Sequence, residues 1–183
     1  MRVISGSARG TALTAPDGTQ TRPTADRTRE ALFSILMPYV AGCTFLDLFS
    51  GSGAVGIEAL SRGAAHCCFV DNASIALAAI KRNLDKTKLS ARAEVLRSDA
   101  VGAARMLSRQ GKAFDIVFLD PPYDNALAKP AADAVLAGGL LAEGGLLIIE
   151  HRAQEEAPVI EGLRLSKQKR YGAAAISIYE VTS

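Results

Sequence analysis

Apolar positions along the chain follow two different periods, and the two alternate. Ala31, Leu32, Ile35 and Leu36 recur at helical spacing and predict a first helix over roughly 25–37, ending before Pro38. Short apolar runs then take turns with amphipathic stretches. Phe45 to Leu48 reads as a buried strand, followed by a glycine turn and a helix over about 54–62. Cys67 to Val70 is a second strand and Ser74 to Leu84 a second helix of this series. Glu94 to Leu96 and Ala100 to Gln110 repeat the pair, as do Asp115 to Leu119 and Pro130 to Ala137, before a fifth strand at Leu146 to Glu150. Strands spaced by helices of 10–15 residues predict an α/β fold, a parallel sheet covered on both faces. The tail departs from this rhythm: Leu163 to Tyr171 and Ala174 to Val181 predict two strands joined at Gly172, an antiparallel hairpin on the sheet edge. Residues 1–24 are rich in Gly, Thr, Ser and Pro and predict an irregular arm with one hairpin, for which Asp17-Gly18 is a turn signal.

Composition narrows the class. The 183 residues are 49% apolar and 22% charged, a globular balance that argues against wholesale disorder. No apolar run reaches the roughly 18 residues needed to cross a bilayer, and the first residues lack the h-region of a signal peptide. Three cysteines, Cys43, Cys67 and Cys68, show no CxxC spacing, and there are two histidines, His66 and His151. Neither a disulfide framework nor a metal site is expected from them; Cys67 and Cys68 read as buried strand filler and His66 as a loop residue. The expectation is a single reduced, cytoplasmic domain over 1–183, with no metal and no membrane partner. The net charge of +2 is unevenly spread: residues 1–30 hold five arginines against three acids, whereas 31–150 are nearly neutral. Basic residues at both ends suit a polyanionic partner, or simply a solvated surface.

Two loops carry the chemistry. Asp47-Leu48-Phe49-Ser50-Gly51-Ser52-Gly53-Ala54-Val55-Gly56 places G-x-G-x-x-G between a strand and a helix. There glycines admit positive φ and close ligand approach, and a helix N-terminus offers free N–H groups. The same glycines also suit an empty tight turn. Asp71 ends the next strand, where a carboxylate can accept both hydroxyl hydrogens of an adenosine ribose, with Asn72 beside it. Asp47 enters the turn as an acid that repels a pyrophosphate and suits a ligand with a positive amino end. S-adenosylmethionine has such an end; a nicotinamide dinucleotide does not, which disfavours an oxidoreductase on this fold. Asp99, before Ala100, is placed either to accept from an adenine amine or to cap the third helix of the series, and both roles are compatible. Phe49, Ser50, Gly51 and Gly53 complete the candidate cofactor cradle.

The second loop is Asp120-Pro121-Pro122-Tyr123, at the carboxyl end of the fourth strand, where open α/β sheets bind ligands. Tandem prolines fix φ and remove two N–H donors, leaving carbonyls and the Asp oxygens as acceptors. Such a loop can hold an exocyclic amine by both hydrogens and aim its lone pair at a methyl group, while Tyr123 stacks on the base. A rigid turn closing a buried strand is the bland alternative.

Asp120-Pro121-Pro122-Tyr123 combined with Asp47-x-Phe49-x-Gly51-x-Gly53 resembles the class I, S-adenosylmethionine-dependent amino-methyltransferases of nucleic-acid bases. Arg22 to Phe33 (RPTADRTREALF) and Phe49 to Ala64 (FSGSGAVGIEALSRGA) are similar to the bacterial ribosomal RNA small-subunit methyltransferase D family. Met1 to Gly6 and Tyr171-Gly172 fit as well, so the resemblance spans nearly the whole chain. It implies a Rossmann-like fold with a seven-stranded, mostly parallel sheet, S-adenosylmethionine as cofactor, and methylation of the N2 amine of one guanine in 16S rRNA. It also implies catalytic roles for Asp120, Pro121, Pro122 and Tyr123, and an Arg22–Phe33 segment packed over the cofactor. The partner implied is 16S rRNA, in the small ribosomal subunit or an assembly intermediate. Asp71-Asn72 stands where many relatives have Glu and a second acid, and Ser50 where Ala is common.

For RNA contact, Arg22 and Arg27 are candidates, with Arg29; on a helix, Asp26 and Glu30 can pair with these arginines instead. Arg164, Lys167, Lys169 and Arg170 form a run without an acid, suited to an RNA backbone or to shielding an edge strand. Rival readings are N6-adenine methylation by the same loop, and an RNA-binding factor without activity.

Overall fold

The computed structural model describes residues 1–16, 23–122 and 125–182. Asp17 to Arg22, including the Asp17-Gly18 turn signal and Arg22, and Tyr123 lie outside the described residues. After helix α1 (Pro23–Val40), the expected alternation follows: β1 (Thr44–Leu48), α2 (Ala54–Ser61), β2 (His66–Asp71), α3 (Ser74–Thr87), β3 (Ala93–Arg97), α4 (Ala100–Arg109), β4 (Phe114–Leu119), α5 (Ala128–Ala137) and β5 (Leu141–Arg152). The tail forms β6 (Leu163–Tyr171) and β7 (Ala174–Val181).

The seven strands make one sheet in the order β3-β2-β1-β4-β5-β7-β6. Strands β1 to β5 are mutually parallel, and β7 runs antiparallel between β5 and β6. The chain steps outward in one direction from β1 through β2 to β3, then returns to the other side of β1 with β4. A crevice opens at such a reversal, beyond the carboxyl ends of the strands. Side-chain alternation splits the core in two. Phe45, Phe69, Phe118 and Ile148 face α1, α2 and α3; Leu46, Cys68, Val117 and Leu147 face α4 and α5. Cys43, Cys67 and Cys68 are free and buried, and burial pushes their thiols well above the usual range, as inert filler requires. Among the described residues no helix is long and apolar enough to cross a membrane.

Three local expectations are corrected. Helix α1 continues through Pro38 to Val40. A proline there deletes one hydrogen bond, to the Ser34 carbonyl, and burying Leu36 and Val40 offsets that loss. His66 begins β2 and pairs with Thr44 rather than lying in a loop. Strand β5 starts five residues early, at Leu141, because it crosses Gly144-Gly145 through a register break opposite Phe114 and Ile116. The N-terminal hairpin forms within residues 1–13, where Arg2 bridges Ala12 and the Val3 and Leu13 N–H groups donate to Thr11 and Met1.

That hairpin has little sheet of its own and is held by α2. Glu58 is fully buried, and its two carboxylate oxygens accept from the Ile4 and Ser5 N–H groups at 2.8 and 3.0 Å. Arg62 pairs with it at 2.7 Å and Arg29 approaches to 3.8 Å. Ser61 Oγ accepts from the Ala8 N–H at 2.9 Å. Arg29, only 4% exposed, also donates to the Arg2 carbonyl and pairs with Asp26. Arg29 is therefore a structural cation and not a phosphate contact, whereas Arg27 on the same helix is exposed.

Candidate active site

A cleft of about 1000 Å³ runs across the carboxyl ends of β1, β2, β4 and β5. Its position follows from the strand order, and its chemistry follows from the period of two along each strand. Asp47, Asp71 and Glu150 share the face of Phe45, Phe69 and Ile148, the face roofed by α1. Asp120 follows β4 directly, near enough for its charge to raise the pKa of both Asp47 and Glu150. The floor is thus electronegative.

The glycine turn is built by hydrogen bonds inside the protein. Ser50 Oγ donates to the Asp47 carbonyl at 2.7 Å and accepts from the Val70 N–H at 2.9 Å, tying the end of β1 to β2. Gly53 caps α2 at φ 76°, a conformation that suits glycine. A Cβ on Gly56 would stand 2.4 Å from the Phe69 ring, so the third glycine serves close packing of α2 on β2. Phe49, at φ 68°, is held in a left-handed conformation rare for a bulky residue, and it faces the cleft.

Asp47 is 1% exposed and lies beneath this turn, its Oδ2 accepting from the Gly56 N–H at 3.2 Å. Burial pushes its pKa up to about 8; the Gly56 hydrogen bond opposes the rise, and the charges of Asp120 and Asp71 add to it. Asp71 lines the cleft. One of its oxygens accepts from the Gly51 N–H and the other from the Ala73 N–H, both at 2.9 Å. A carboxylate has about four acceptor sites, so two remain for a ligand. Asp99 caps α4 through Oδ1, which accepts from the Gly102 N–H at 2.8 Å, and it also lines the cleft. Its cap role and a ligand role remain compatible.

Asp120, Pro121 and Pro122 form the opposite wall. Asp120 is open at the cleft mouth but has dense protein on its other sides, and this desolvation raises its pKa. Glu150 is also raised, first by burial and then by the Asp120 charge. Two facing carboxyl groups resist simultaneous ionisation.

Of the residues singled out above, Phe49, Gly51, Asp71, Asn72, Asp99, Ala100, Asp120, Pro121 and Pro122 meet in this cleft. Asp47, Ser50 and Gly53 do not line it; they shape and charge its floor from below. Arg27 and the basic run lie elsewhere. Arg164 is engaged with Glu180 at 2.8 Å, whereas Lys167, Lys169 and Arg170 extend along the exposed edge strand. Sequence reading missed Glu150, whose one signal was a carboxylate closing an apolar strand next to a loop ending in acid. It also missed Ile75, 51% exposed at the start of α3; Ala25 and Thr28 bring α1 to the cleft.

The family described as conserved hypothetical protein 95 matches residues 1–180. "Putative rRNA methyltransferase YlbH" of Bacillus subtilis (strain 168) is 41% identical over 181 residues, 98% of each chain. The "Ribosomal RNA small subunit methyltransferase D" of Escherichia coli (strain K12) is 34% identical, covering 98% of this chain and 89% of its own. The solved structure "Putative methyltransferase yhhF from Escherichia coli" superposes with a TM-score of 0.87 at 34% identity, over 99% of this chain and 97% of that one. Sequence, length and fold agree, and the chain belongs to the conserved hypothetical protein 95 family, that of the ribosomal RNA small-subunit methyltransferases D.

Proposed function

We propose that this protein transfers a methyl group from S-adenosylmethionine to the N2 amine of one guanine in 16S rRNA. The observation that carries the reading is the acceptor-rich Asp120-Pro121-Pro122 wall standing across the cleft from Asp71 and Asp99. The cofactor fits the residues present. A nucleoside with a positive tail suits a cavity of this size whose floor is acidic, and Asp71 has acceptor sites left for ribose hydroxyls. Asp99 would accept from the adenine amine, the charge of Asp120 complements the cationic end, and a cation bound there would in turn favour the ionised form of Asp47. When bound, S-adenosylmethionine supplies a methyl group on a sulfonium leaving group.

The chain's own residues position and desolvate the acceptor. Asp120 and the Pro121 carbonyl accept the two amine hydrogens, so that the nitrogen lone pair turns out of the ring plane toward the methyl. Tyr123 gives the base a face to stack on. Bound there, the cofactor would supply the methyl and take the electron pair of the carbon–sulfur bond, and the amine proton, acidic only once nitrogen carries the methyl, would leave through its hydrogen bond to Asp120. Most of the acceleration is proximity and orientation. The guanine must leave any stack to arrive here. Exposed Arg27, Lys167, Lys169 and Arg170 hold the RNA backbone. The names of the relatives, small-subunit rRNA methyltransferases, support an rRNA substrate.

The test is nucleoside mapping of rRNA from cells with and without the protein, followed by methylation of unmodified small subunits and naked 16S rRNA in vitro. Loss and restoration of N2-methylguanosine is the expected result. Restoration of N6-methyladenosine instead overturns it.

A further inference from the structure

A loop that holds an exocyclic amine cannot by itself tell guanine from adenine, because both bases carry an amine with two hydrogens beside N1. The adjacent ring nitrogen does differ: N1 of guanine bears a hydrogen, and N1 of adenine bears a lone pair. A side chain that reads this atom must stand beside the amine-holding loop and present an acceptor to the same cavity. Glu150 meets both conditions. Leu119 and Ile149 are paired across β4 and β5, and Asp120 and Glu150 are the next residues on each strand. Glu150 lines the cleft together with Asp120, Pro121 and Pro122. Among the described residues its carboxyl group has no hydrogen bond or ion pair. Its neighbour His151 is already engaged, with Nε2 2.8 Å from Ser177 Oγ and Nδ1 3.0 Å from the Arg152 carbonyl.

We propose that Glu150 is the base-specificity residue, one carboxyl oxygen accepting the N1–H of the target guanine while the Asp120 loop holds the N2 amine. The inference rests on the methyl-transfer reading above. With Glu150 ionised, which its pKa of about 8 places at alkaline pH where the comparison below is made, an adenine in the same pose turns its N1 lone pair onto a carboxylate oxygen, an acceptor facing an acceptor. Sites that hydrogen-bond a substrate N–H reject analogues lacking it far more strongly than apolar pockets reject a size change.

The experiment compares, at alkaline pH, substrate RNA carrying guanine or 2-aminopurine at the target position. 2-Aminopurine keeps the 2-amine but has a lone pair at N1. The intact protein is expected to prefer guanine in kcat/KM by roughly tenfold to a hundredfold, the scale of one well-read base edge. Glu150→Ala is expected to lose most of the guanine rate and little of the 2-aminopurine rate, bringing the ratio toward one. Glu150→Gln, whose amide oxygen still accepts, is expected to retain part of the preference. Calorimetry with S-adenosylmethionine reports whether each variant keeps an intact cleft, and affinity within about twofold of the parent is expected. A guanine preference unchanged in Glu150→Ala overturns the proposal, as does loss of cofactor binding in both variants, which makes Glu150 structural. If the parent protein methylates neither base at its 2-amine, the reaction assigned above is wrong, and the role given to Glu150 goes with it.

Discussion

At the scale of single residues, Asp120 and Asp47 are both acids of the cleft, one in its wall and one beneath its floor. In the proposed reaction Asp120 would accept from the amine, so its value would lie mainly in the transition state. Asp120→Ala is expected to slow single-turnover methylation on the order of a hundredfold or more, comparable to losing one preorganised electrostatic contact, with cofactor affinity little changed. Asp120→Asn keeps a carbonyl acceptor and is expected to be milder. Asp47 acts through pH. Its pKa lies near 3.8 in an unfolded chain and about 8 in the fold. Below pH 4 both states hold the proton and the stability linked to it is fully present. As pH rises toward 8 the unfolded chain ionises first, so that stability is progressively lost. Asp47→Asn stays neutral and still accepts from Gly56. Denaturant midpoints of the cofactor-free protein between pH 5 and 8 are expected to fall less steeply in this variant. Parallel curves for variant and parent contradict the assignment.

Single elements depend on partners far away in the chain. The N-terminal hairpin has one short bridge and no strand-length ladder, so α2 is its anchor through Glu58. Glu58→Ala leaves two backbone N–H groups and the Arg29 and Arg62 cations without their buried acceptor. Removing one partner of a buried ionic network costs about 3–5 kcal/mol, and chemical denaturation is expected to show a loss of that size. A loss below about 1 kcal/mol means the hairpin is held by its apolar contacts alone. Most elements were legible locally, because β1, β2 and β4 are short, mostly apolar runs and α2 to α4 have apolar stripes. Helix α1 was misjudged where Pro38 was overruled by burial of Val40 beyond it, and strand β5 where a register break at Gly144-Gly145 still lets Leu141 pair with Phe114.

For the whole molecule, the proposed reaction would make the edge strand and α1 the RNA-facing side. A bulge between Leu165 and Lys167 shifts the alternation of β6, so Arg164, Lys167 and Lys169 pair with Glu180, Ile178 and Ile176 and share one face. That is the α1 side of the sheet, the side of exposed Arg27. Arg164 is already neutralised by Glu180. Replacing Lys167 and Lys169 with Ala is therefore expected to weaken RNA binding uniformly and to flatten the slope of log K against log salt by about 0.7 per lost phosphate contact. Arg164→Ala is expected to leave the slope nearly unchanged. Equal slopes for all variants return the basic run to edge-strand protection.

Sequence alone determined the α/β alternation, the C-terminal hairpin, and the two loops with Asp71, Asp99 and Asp120, because each is a local pattern of period, turn chemistry or motif. Only the tertiary structure decided which acids share a cavity. The face on which Asp47, Asp71 and Glu150 emerge depends on strand order and register across 103 positions of chain, from Asp47 to Glu150. It alone separated two arginines that look alike in sequence, burying Arg29 against Glu58 and leaving Arg27 in solvent. Asp47 became a buried, protonated floor and not a wall for the same reason. A period of two says that a side chain alternates; packing of distant segments says what it meets.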